Sequence, residues 1–510
     1  MMAALLAGNE WRLRDLLDGA VVRSEVPDLL VNGISQDTRQ LQPGAVFFVL
    51  SGQRGGGGRH LQLAVQAGAA AIVTDDEEHL RADTRVPIIR VSDVALALGI
   101  AADRFYQSPT RSLRLVGITG TNGKTTVAQW IAAGLHGWPQ HEQPCGLLGT
   151  LGYGVFGELT AGGLTTPDTI TAHQYLSAAC DRGAQFAVME VSSHGLEQQR
   201  VAGLQFDTAV FTNLGRDHLD YHGDMQHYGR AKQRLFELPR LKNAVINLEE
   251  AHGRKILQDL GDRLNTVSFG LDDASGARDK GAQFVVGSLQ PHAHGLELTV
   301  SSSWGEGRIH LPGVLGRFNA LNALGALATL LVLDMPIEVA CERLSGNRAP
   351  DGRMQMVSQP GQATPLVVVD YAHTPDALAA ALGALRPHTT GELWCVFGCG
   401  GERDRGKRPL MGEVAAGLAD RLVITDDNPR GEDGDQIVAD IVAGISGAEN
   451  RVQVCRERGE AIRETVHSAD SVDTVLIAGK GHETYQDVGK RRRPFSDIAA
   501  ARGAIGGARS

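Results

Sequence analysis

The chain has few cysteines, and they lack the spacing of a metal-binding or disulfide cluster. Six occur in 510 residues, and none shows the paired spacing typical of a zinc site. A chain of this length also has no need of disulfide bonds to stabilise its core. Because Cys395 and Cys399 lie in or beside an apolar run, we predict that their thiols are buried.

Long apolar runs are missing too. No stretch reaches the roughly 18 apolar residues that indicate a membrane-spanning helix. The first ten residues contain a short apolar patch, but they lack the basic segment and the long apolar segment of a secretory signal peptide. We therefore expect a cytoplasmic protein without a membrane span.

An excess of positive charge is absent as well. Lys and Arg number 49 against 59 Asp and Glu, so the formal net charge is −10. This balance argues against a general nucleic-acid binder, although it leaves room for a basic cleft that holds a phosphorylated small molecule. The densest basic run, 490–493, is flanked by Gly489 and Pro494, and we predict a solvated loop there.

What the chain contains is a regular alternation of strands and helices. Hydrophobic residues make up 42% of the chain and charged residues 21%, which is typical of a globular protein with an ample core. Apolar strands that alternate with helices favour parallel sheets covered on both faces. The predicted strands are 45–50, 70–74, 87–91, 186–189, 208–211, 366–369, 393–397, 421–425 and 474–477. Helices are predicted at 94–106 and 319–332, a β-rich stretch at 283–310, and an unstructured four-glycine loop at 55–58.

Residues 117–126, which read GITGTNGKTT, lie between a predicted strand and a predicted helix. In such a turn the backbone N–H groups face an anion, Lys124 reaches the outer phosphates of a nucleotide, and the Thr125 hydroxyl can bind magnesium. The strict P-loop pattern is incomplete, since Ile118 occupies a glycine position. A turn whose glycines serve only packing is the alternative, but packing needs neither the lysine nor the hydroxyl. The turn therefore predicts a nucleoside triphosphate as substrate.

Polar side chains follow the next strands. Glu190 ends an apolar strand, where a carboxylate can bind magnesium beside a phosphate site, although a helix cap or a surface ion pair explains it equally well. Thr212 and Asn213 end the following strand, and His218 comes shortly after. Because two strands deliver polar clusters beside one loop, we favour a site role for His218 over a packing role.

The spacing around Lys232 is that of an ordinary amphipathic helix. From the residues alone, Lys232 is therefore predicted to be an exposed surface lysine.

Residues 427–430 read DNPR and form a candidate fork for a zwitterion. Pro429 fixes the turn, Asp427 can hold an ammonium group, and Arg430 can bind a carboxylate through two hydrogen bonds. The alternative is a pair of surface turns. Two further candidates, Arg403 and Glu483, follow neighbouring predicted strands.

Seven motifs in order along the chain resemble those of the Mur ligases of peptidoglycan synthesis. They are GTNGKTT at 120–126, MEVSSHG at 189–195, TNLGRDHLD at 212–220, RFNALN at 317–322, DYAHTPD at 370–376, DNPR at 427–430 and GKGHE at 479–483. The resemblance implies an α/β chain of three domains. These are a smaller N-terminal α/β domain that binds the UDP-sugar (1–110), a central P-loop domain with a parallel sheet that binds ATP (111–346), and a C-terminal Rossmann-like domain that binds an amino acid (347–510).

The resemblance also implies a reaction. ATP phosphorylates the D-glutamyl carboxylate of UDP-N-acetylmuramoyl-L-alanyl-D-glutamate, and the amine of meso-2,6-diaminopimelate attacks the resulting acyl phosphate. Two Mg²⁺ ions would offset the charge repulsion between ATP and the carboxylate. A monomer that binds no nucleic acid is expected.

Site residues follow by matching each motif position. The implied catalytic residues are Lys124, Glu190, His218 and Lys232. The implied metal ligands are Thr125, Glu190, His218 and Lys232, with the lysine carbamylated. The implied ATP-binding residues are Gly120, Thr121, Asn122, Gly123, Lys124, Thr125, Thr126, Asn319, Arg353 and Asp370. Those for the UDP-muramoyl-dipeptide are Gln36, Thr38, Gln53, Arg54, Gly55, Thr165, Thr166, Ser192, Gln198 and Arg200. Those for diaminopimelate are Arg403, Asp427, Asn428, Pro429, Arg430, Gly479 and Glu483.

Three rival interpretations differ in substrate or class. A folylpolyglutamate synthetase and a lysine-adding Mur enzyme are related ligases, and the run 427–430 argues against both. A P-loop switch protein would hydrolyse nucleotide to change partners, but it has no use for the third domain (347–510) and its candidate zwitterion pocket.

Overall fold

The computed structural model describes residues 10–50, 57–81, 84–139, 142–271, 283–292, 295–358 and 364–507. It forms two compact units. The first contains Met1–Thr119, Leu135–Val210 and Ala231–Ala244, and the second contains Gly120–Gly134, Phe211–Arg230 and Val245–Ser510. The predicted boundaries at residues 110 and 346 stay a prediction.

Among the described residues up to 119 there are seven short strands and three α-helices. They are β1 (Trp11–Arg12), α1 (Leu13–Leu17), β2 (Leu30–Val31), β3 (Ile34–Ser35), β4 (Val46–Phe48), α2 (Gly57–Gln66), β5 (Ala71–Thr74), β6 (Ile88–Arg90), α3 (Val94–Phe105) and β7 (Arg114–Thr119). The predicted strands and the helix at 94–106 are confirmed within two residues at each end.

A parallel sheet of order β3-β4-β5-β6 organises this segment. Helix α3 starts where Asp93 accepts a hydrogen bond from the backbone N–H of Leu96, and its apolar face packs into the same core as Phe48 and Val73. The loop predicted at 55–58 is wrong in its second half, because α2 begins at Gly57. A glycine costs least in the first turn, whose N–H groups have no partner within the helix. Residues 51–56, with the candidates Gln53, Arg54 and Gly55, lie outside the described residues.

Between residues 120 and 346 the chain alternates more regularly. The elements are α4 (Lys124–Leu135), β8 (Cys145–Gly149), β9 (Gly152–Val155), β10 (Glu158–Thr160), α5 (Thr169–Asp181), β11 (Phe186–Glu190), α6 (Ser193–Glu197), β12 (Thr208–Phe211), α7 (Leu219–His222), α8 (Met225–Gln233), β13 (Asn243–Asn247), α9 (Ala251–Leu260), β14 (Asn265–Leu271), β15 (Gln283–His292), β16 (Gly295–Ser302), β17 (Gly305–Pro312), α10 (Arg317–Val332) and α11 (Ile337–Leu344).

In the first unit, β7 pairs in parallel with β11, and β11 pairs in parallel with β8. Strands β8, β9 and β10 then continue as an antiparallel meander. Strand β11 confirms the prediction at 186–189. The meander was not predicted, because its four glycines within 146–154 hide the alternation that marks a strand.

In the second unit, β14 pairs in parallel with β15, and β15, β16 and β17 form a long antiparallel sheet. This confirms the β-rich prediction at 283–310. Helix α10, predicted at 319–332, is buried along almost its whole length and packs against β14 and β15. Its contacts are close because Gly325 faces the Phe269 ring and Gly287 faces Leu324.

The C-terminal part of the second unit is a sheet covered on both faces. Its elements are β18 (Gln355–Met356), β19 (Leu366–Asp370), α12 (Pro375–Leu385), β20 (Leu393–Phe397), α13 (Lys407–Leu418), β21 (Arg421–Ile424), α14 (Gly434–Val442), β22 (Val452–Val454), α15 (Arg458–Ser468), β23 (Thr474–Ala478), β24 (Tyr485–Val488), β25 (Arg491–Pro494) and α16 (Asp497–Gly507).

Strand order in this sheet is β18-β19-β23-β20-β21-β22, with every pairing parallel except that of β18. Alternate residues of β19 face opposite cores, since Val368 packs with one apolar cluster and Val367 and Val369 with another. All four strands predicted here are confirmed within one residue. Their carboxyl ends lie at one edge of the sheet, where open α/β sheets bind ligands.

Two smaller predictions have clear outcomes. Cys395 and Cys399 are buried as predicted, and burial raises the pKa of each thiol to about 12. The basic run at 490–493 is exposed as predicted, but it is not a loop. Its last three residues lie in β25, which pairs with β24, and Arg492 stacks 3.9 Å from the centre of the Tyr485 ring while pairing with Asp487. Nowhere in the described parts of the chain is there a helix with the length and apolarity needed to cross a membrane.

Candidate active site

The glycine-rich turn links β7 to α4, as the sequence predicted. Gly120 and Gly123 have φ values of 152° and 83°. A Cβ at Gly120 would lie 1.9 Å from Oγ1 of Thr212, and one at Gly123 would lie 2.4 Å from Oδ1 of Asn322. Glycine is therefore required at both positions for the turn to pack this closely. Lys124 opens the helix, and its Nζ donates to the carbonyl oxygens of Gly120 and Thr121, each at 2.8 Å.

Residues at the end of β12 hold the turn in place. The backbone N–H of Asn122 donates to Oδ1 of Asn213 at 2.8 Å, and Oγ1 of Thr212 donates to the Asn122 carbonyl at 2.6 Å. Oγ1 of Thr121 lies 3.1 Å from the Tyr228 hydroxyl. The predicted link between this strand end and the phosphate turn is confirmed.

A second set of contacts joins the turn to the start of the C-terminal segment. Nη2 of Arg353 donates to Oγ1 of Thr125 at 3.2 Å, and its guanidinium carbon lies 4.3 Å from the centre of the Tyr371 ring. Oδ2 of Asp370 accepts from the backbone N–H of Met354, next to Arg353, and burial raises the pKa of this carboxyl above its usual value. Two predicted ATP residues are thus connected to the turn: Arg353 directly, and Asp370 through the backbone next to Arg353.

The third of these residues, Asn319, lies on α10. Its Nδ2 donates to the Leu315 carbonyl, and its Oδ1 accepts from Nδ2 of Asn322 at 3.0 Å. Asn322 is the side chain that faces Gly123. The hydrogen-bonded side chains of Asn319 and Asn322 therefore pack against the phosphate turn at Gly123.

His218 adopts a left-handed backbone conformation, with φ 53°. Its Nε2 lies 3.3 Å from Oδ2 of Asp217, and Nε2 of His373 lies 3.5 Å from the same oxygen. Burial opposes ionisation of Asp217, but the hydrogen bond and charge of His373, helped by His218 and Lys407, hold the pKa of this carboxyl well below its usual range. A carboxylate beside a histidine fixes the ring orientation, which suits a metal ligand.

In the first unit, Glu190 is buried at the end of β11. Its Oε1 accepts from the backbone N–H of Thr150 at 2.8 Å, and its Oε2 accepts from Oγ1 of Thr150 at 3.1 Å. Magnesium prefers oxygen ligands, so the chemistry of Glu190 and of the Thr125 hydroxyl fits this ion.

The five residues between 165 and 200 that are predicted for the UDP-muramoyl-dipeptide form one hydrogen-bonded group with Glu190 and Thr150. The Thr165 hydroxyl lies 3.1 Å from that of Thr150. The Thr166 hydroxyl donates to the Glu190 carbonyl at 2.9 Å, and its oxygen lies 3.0 Å from Oγ of Ser192. The remaining two members complete the group, because the Arg200 guanidinium donates to the Thr166 carbonyl at 3.0 Å and to Oε1 of Gln198.

Lys232 is almost completely buried, with 1% of its surface exposed. The prediction of a surface lysine, made from helical spacing, is wrong. Tyr228 and Ala231 on the same helix are also 1% exposed. These two residues and Lys232 therefore form the buried face of α8. A lysine is rarely buried without a chemical reason. Among the residues that the structure describes, no group of three His, Cys, Asp or Glu side chains is arranged to hold a metal ion.

Most residues predicted for diaminopimelate lie at the carboxyl edge of the C-terminal sheet. Nδ2 of Asn428 donates to Oε2 of Glu483 at 2.9 Å, and Nζ of Lys480 donates to the same oxygen at 2.7 Å. Gly479 has φ 111°, and a Cβ there would lie 2.6 Å from Oδ2 of Asp427.

Arg430 is held at the same edge by its backbone and its guanidinium. It has φ 51°, its N–H donates to the Asp487 carbonyl, and its Nη1 donates to the Gly401 carbonyl at 2.7 Å. Pro429 precedes it, as the turn requires. Arg403 donates to the carbonyl of Glu402. Among the described residues, no hydrogen bond joins Arg403 to the group formed by Asn428, Lys480 and Glu483.

The two N-terminal candidates that are described lie just after β3. Oε1 of Gln36 is buried and makes no hydrogen bond within the described residues. Thr38 is partly exposed in the turn where Arg39 pairs with Asp37, and this hydrogen bond lowers the pKa of the Asp37 carboxyl.

Three residues that hydrogen-bond or pair within these groups of candidate site residues were not predicted from the sequence alone. Thr150 follows β8, a strand that was not predicted. Lys480 lies inside the motif GKGHE at 479–483, and His373 lies inside DYAHTPD at 370–376. Those two could have been found, because their motifs follow strands of one parallel sheet.

Comparison with known proteins agrees with these motifs. Three family models match: the Mur ligase family catalytic domain at 30–106, the Mur ligase middle domain at 118–330, and the Mur ligase glutamate ligase domain at 352–481. A protein of Alkalilimnicola ehrlichii named UDP-N-acetylmuramoyl-L-alanyl-D-glutamate–2,6-diaminopimelate ligase is 46% identical over 504 residues, which cover 97% of this chain and 99% of the relative. A protein of Coxiella burnetii with the same name is 43% identical over 495 residues, with coverage of 97% and 99%. A solved structure titled with that enzyme name is 34% identical, with a TM-score of 0.69, and covers 98% of this chain and 100% of the other.

Proposed function

This chain belongs to the Mur ligase family, and from that membership we propose that it adds meso-2,6-diaminopimelate to UDP-N-acetylmuramoyl-L-alanyl-D-glutamate at the expense of ATP. The reaction serves peptidoglycan synthesis in the cytoplasm. The protein is proposed to act as a monomer.

The first step makes the carboxylate reactive. A carboxylate is a poor acyl donor, so its oxygen attacks the γ-phosphorus of ATP, the bond to the β-γ bridging oxygen breaks, and ADP leaves. The N–H groups of the turn at 120–123 and the Lys124 ammonium stabilise the charge that builds on the phosphate oxygens. Arg353, which donates to Thr125, adds a second cation beside the same helix start.

Magnesium is part of this proposal through the chemistry of four side chains. Thr125, Glu190, His218 and Lys232 would hold the ions, with Lys232 carrying a carbamate because an ammonium has no lone pair to give. When bound, the ions neutralise phosphate charge and polarise the transferred group. The burial of Lys232 supports this assignment, since a neutral amine that reacts with carbon dioxide is favoured away from water.

The second step joins the amino acid. The amine attacks the acyl carbon, a tetrahedral intermediate forms, and phosphate leaves with the electron pair of the broken C–O bond. Arg430 binds the carboxylate that distinguishes diaminopimelate from lysine, while Asp427 and Glu483 hold its distal ammonium.

One observation carries the choice of amino acid: the hydrogen-bonded group formed by Asn428, Lys480 and Glu483 beside Arg430. It places an oriented carboxylate and a guanidinium at one edge of one sheet. A nucleotide-hydrolysing switch has no use for this combination.

Phosphate release with single components omitted tests the proposal. Release should require ATP, the UDP-dipeptide and meso-diaminopimelate together, and lysine, D-alanine or glutamate should not replace diaminopimelate. Hydrolysis that needs ATP alone would indicate a switch, and release with glutamate would indicate a polyglutamate synthetase.

A further inference from the structure

His482 lies between the residues that serve the nucleotide and those that serve the amino acid. Its ring centre is 5.2 Å from that of Tyr371, whose face carries the Arg353 guanidinium. Arg353 in turn donates to Thr125 at the start of α4. The next residue along the chain is Glu483 of the amino-acid group. Within the second unit, a continuous series of contacts therefore leads from the phosphate turn to the amino-acid pocket past this imidazole.

The backbone around His482 is fixed by two glycines. Gly352 has φ 64°, and a Cβ there would lie 2.0 Å from the backbone nitrogen of His482. Gly481 has φ 52°, and its Cβ would lie 2.6 Å from the Gly352 carbonyl oxygen. The turn at 350–354 can approach the motif at 479–483 only because both positions lack a side chain. The backbone of His482 is thus held against this turn.

The two ring nitrogens of His482 differ. Nδ1 is enclosed by protein and makes no hydrogen bond within the described residues, whereas Nε2 is not enclosed in this way. Burial, followed by the positive charges of Arg353 and Lys480, lowers the pKa of the imidazole to about 3, so the ring is neutral near pH 7. A buried N–H without an acceptor is rarer in proteins than an acceptor without a donor. The single proton of the neutral ring therefore belongs on Nε2.

We propose, on the basis of the function given above, that Nε2–H of His482 donates a hydrogen bond to the acyl-phosphate carbonyl oxygen while the amine attacks. The amine lone pair forms the C–N bond, and the π electrons of the C=O bond move onto this oxygen as negative charge. When the intermediate collapses, the C–O bond to phosphate breaks, phosphate leaves with the electron pair, and the ammonium proton passes to solvent. A donor aimed at the developing oxyanion stabilises this transition state.

The same observations exclude His482 as the base that deprotonates the amine. Its outward nitrogen already carries the proton, and the two cations beside it oppose a second one. Neutral imidazole can act as an electrophilic donor where a cationic ring is disfavoured.

Two substitutions separate donation from packing. Gln places an amide N–H₂ near the position of Nε2, whereas Leu fills the volume without a donor. With His482→Leu, kcat for amide formation should fall about 10²-fold, the typical cost of removing one such donor. With His482→Gln, kcat should return to within about tenfold of the parent, and the KM for ATP should stay unchanged in both. His310→Leu and His310→Gln, at an exposed position of β17, serve as matched controls.

A partial reaction assigns the step. Transfer of label from ADP to ATP, with UDP-dipeptide present and amino acid absent, reports acyl-phosphate formation alone. This exchange should remain within a few-fold of the parent in His482→Leu, which also shows that the variant is folded. Equal loss of exchange and amide formation, equal kcat for the Leu and Gln variants, or unchanged kcat for the Leu variant would overturn the inference. If the parent itself shows neither exchange nor amide formation, the proposed function fails instead.

Discussion

Nζ of Lys480 lies 2.7 Å from Oε2 of Glu483, and the lysine side chain is completely buried. The same ammonium donates to Oδ1 of Asn428 at 3.0 Å. It thereby fixes the direction in which the Glu483 carboxylate points. An acidic side chain that binds a substrate ammonium is useful only when it is oriented in advance.

Lys480→Met tests this orientation. The variant keeps the length of the side chain but leaves Glu483 without its cation, and breaking a buried pair costs roughly 3–5 kcal/mol. The kcat/KM for diaminopimelate should fall about 10²-fold or more, while the KM for ATP should change little. Lys255→Met, at an exposed position of α9, is the control. Equal effects of the two variants on kcat/KM would remove the positioning role of Lys480.

Lys124→Ala should abolish phosphate release and leave the fold intact. Its ammonium donates to the carbonyl oxygens of Gly120 and Thr121 within the turn itself, and loss of one charge-stabilising group costs about 10²-fold or more. The assay is phosphate release, with thermal unfolding as the test of folding. A folded variant with near-normal release would disprove the phosphate role.

Lys232 should carry a carbamate. The modification needs a neutral amine and carbon dioxide, so activity should fall after carbon dioxide depletion or at low pH and recover when bicarbonate is added. Lys232→Ala should lose activity and regain part of it with added short carboxylates. A ¹³C carbamate signal after labelling with ¹³C-bicarbonate, absent in the variant, would establish the group directly. Full activity of the alanine variant would contradict the assignment.

Arg430→Ala should lower the preference for diaminopimelate over lysine. The guanidinium binds the extra carboxylate, and lysine leaves it unpaired at a cost of roughly 3–5 kcal/mol, so discrimination could reach about 10²-fold or more. The measurement is kcat/KM for both amino acids in parent and variant. An unchanged ratio would leave the ligase activity standing but remove Arg430 from selectivity.

The neutral His482 also predicts a dependence of stability on pH. Its pKa is about 3 when folded, against the ordinary 6.5, so between these values the unfolded chain binds more protons. Its contribution to stability is present above pH 6.5 and decreases as the pH falls, by about 2 kcal/mol at pH 5. The loss of melting temperature from pH 7 to pH 5 should therefore be smaller for His482→Gln than for His310→Gln. An equal loss would show that the ring is not held neutral.

The sequence alone predicted those parts of the site whose functional residues are neighbours in the chain. The phosphate turn at 120–126 combines glycines, a lysine and a hydroxyl in seven residues, and the fork at 427–430 combines a turn-forming proline with opposite charges. Strands of the C-terminal sheet were predictable because both faces are buried and their apolar runs are continuous.

Other features depend on contacts between distant segments. Lys232 has the spacing of a surface residue, and only tertiary packing buries it. The bonds from Thr150 to Glu190 join residues 40 positions apart, and those from Lys480 to Asn428 join residues 52 apart. Such pairings leave no periodic signal in a single sequence.

Competition between amino acids tests the central claim most directly. The purified protein is given ATP, Mg²⁺, the UDP-dipeptide and equal concentrations of meso-diaminopimelate and lysine, and the products are identified by mass spectrometry alongside released phosphate. The account predicts a product that carries diaminopimelate almost exclusively, with one phosphate released for each amide formed. A lysine product in comparable amount, or phosphate release without amide, would contradict it.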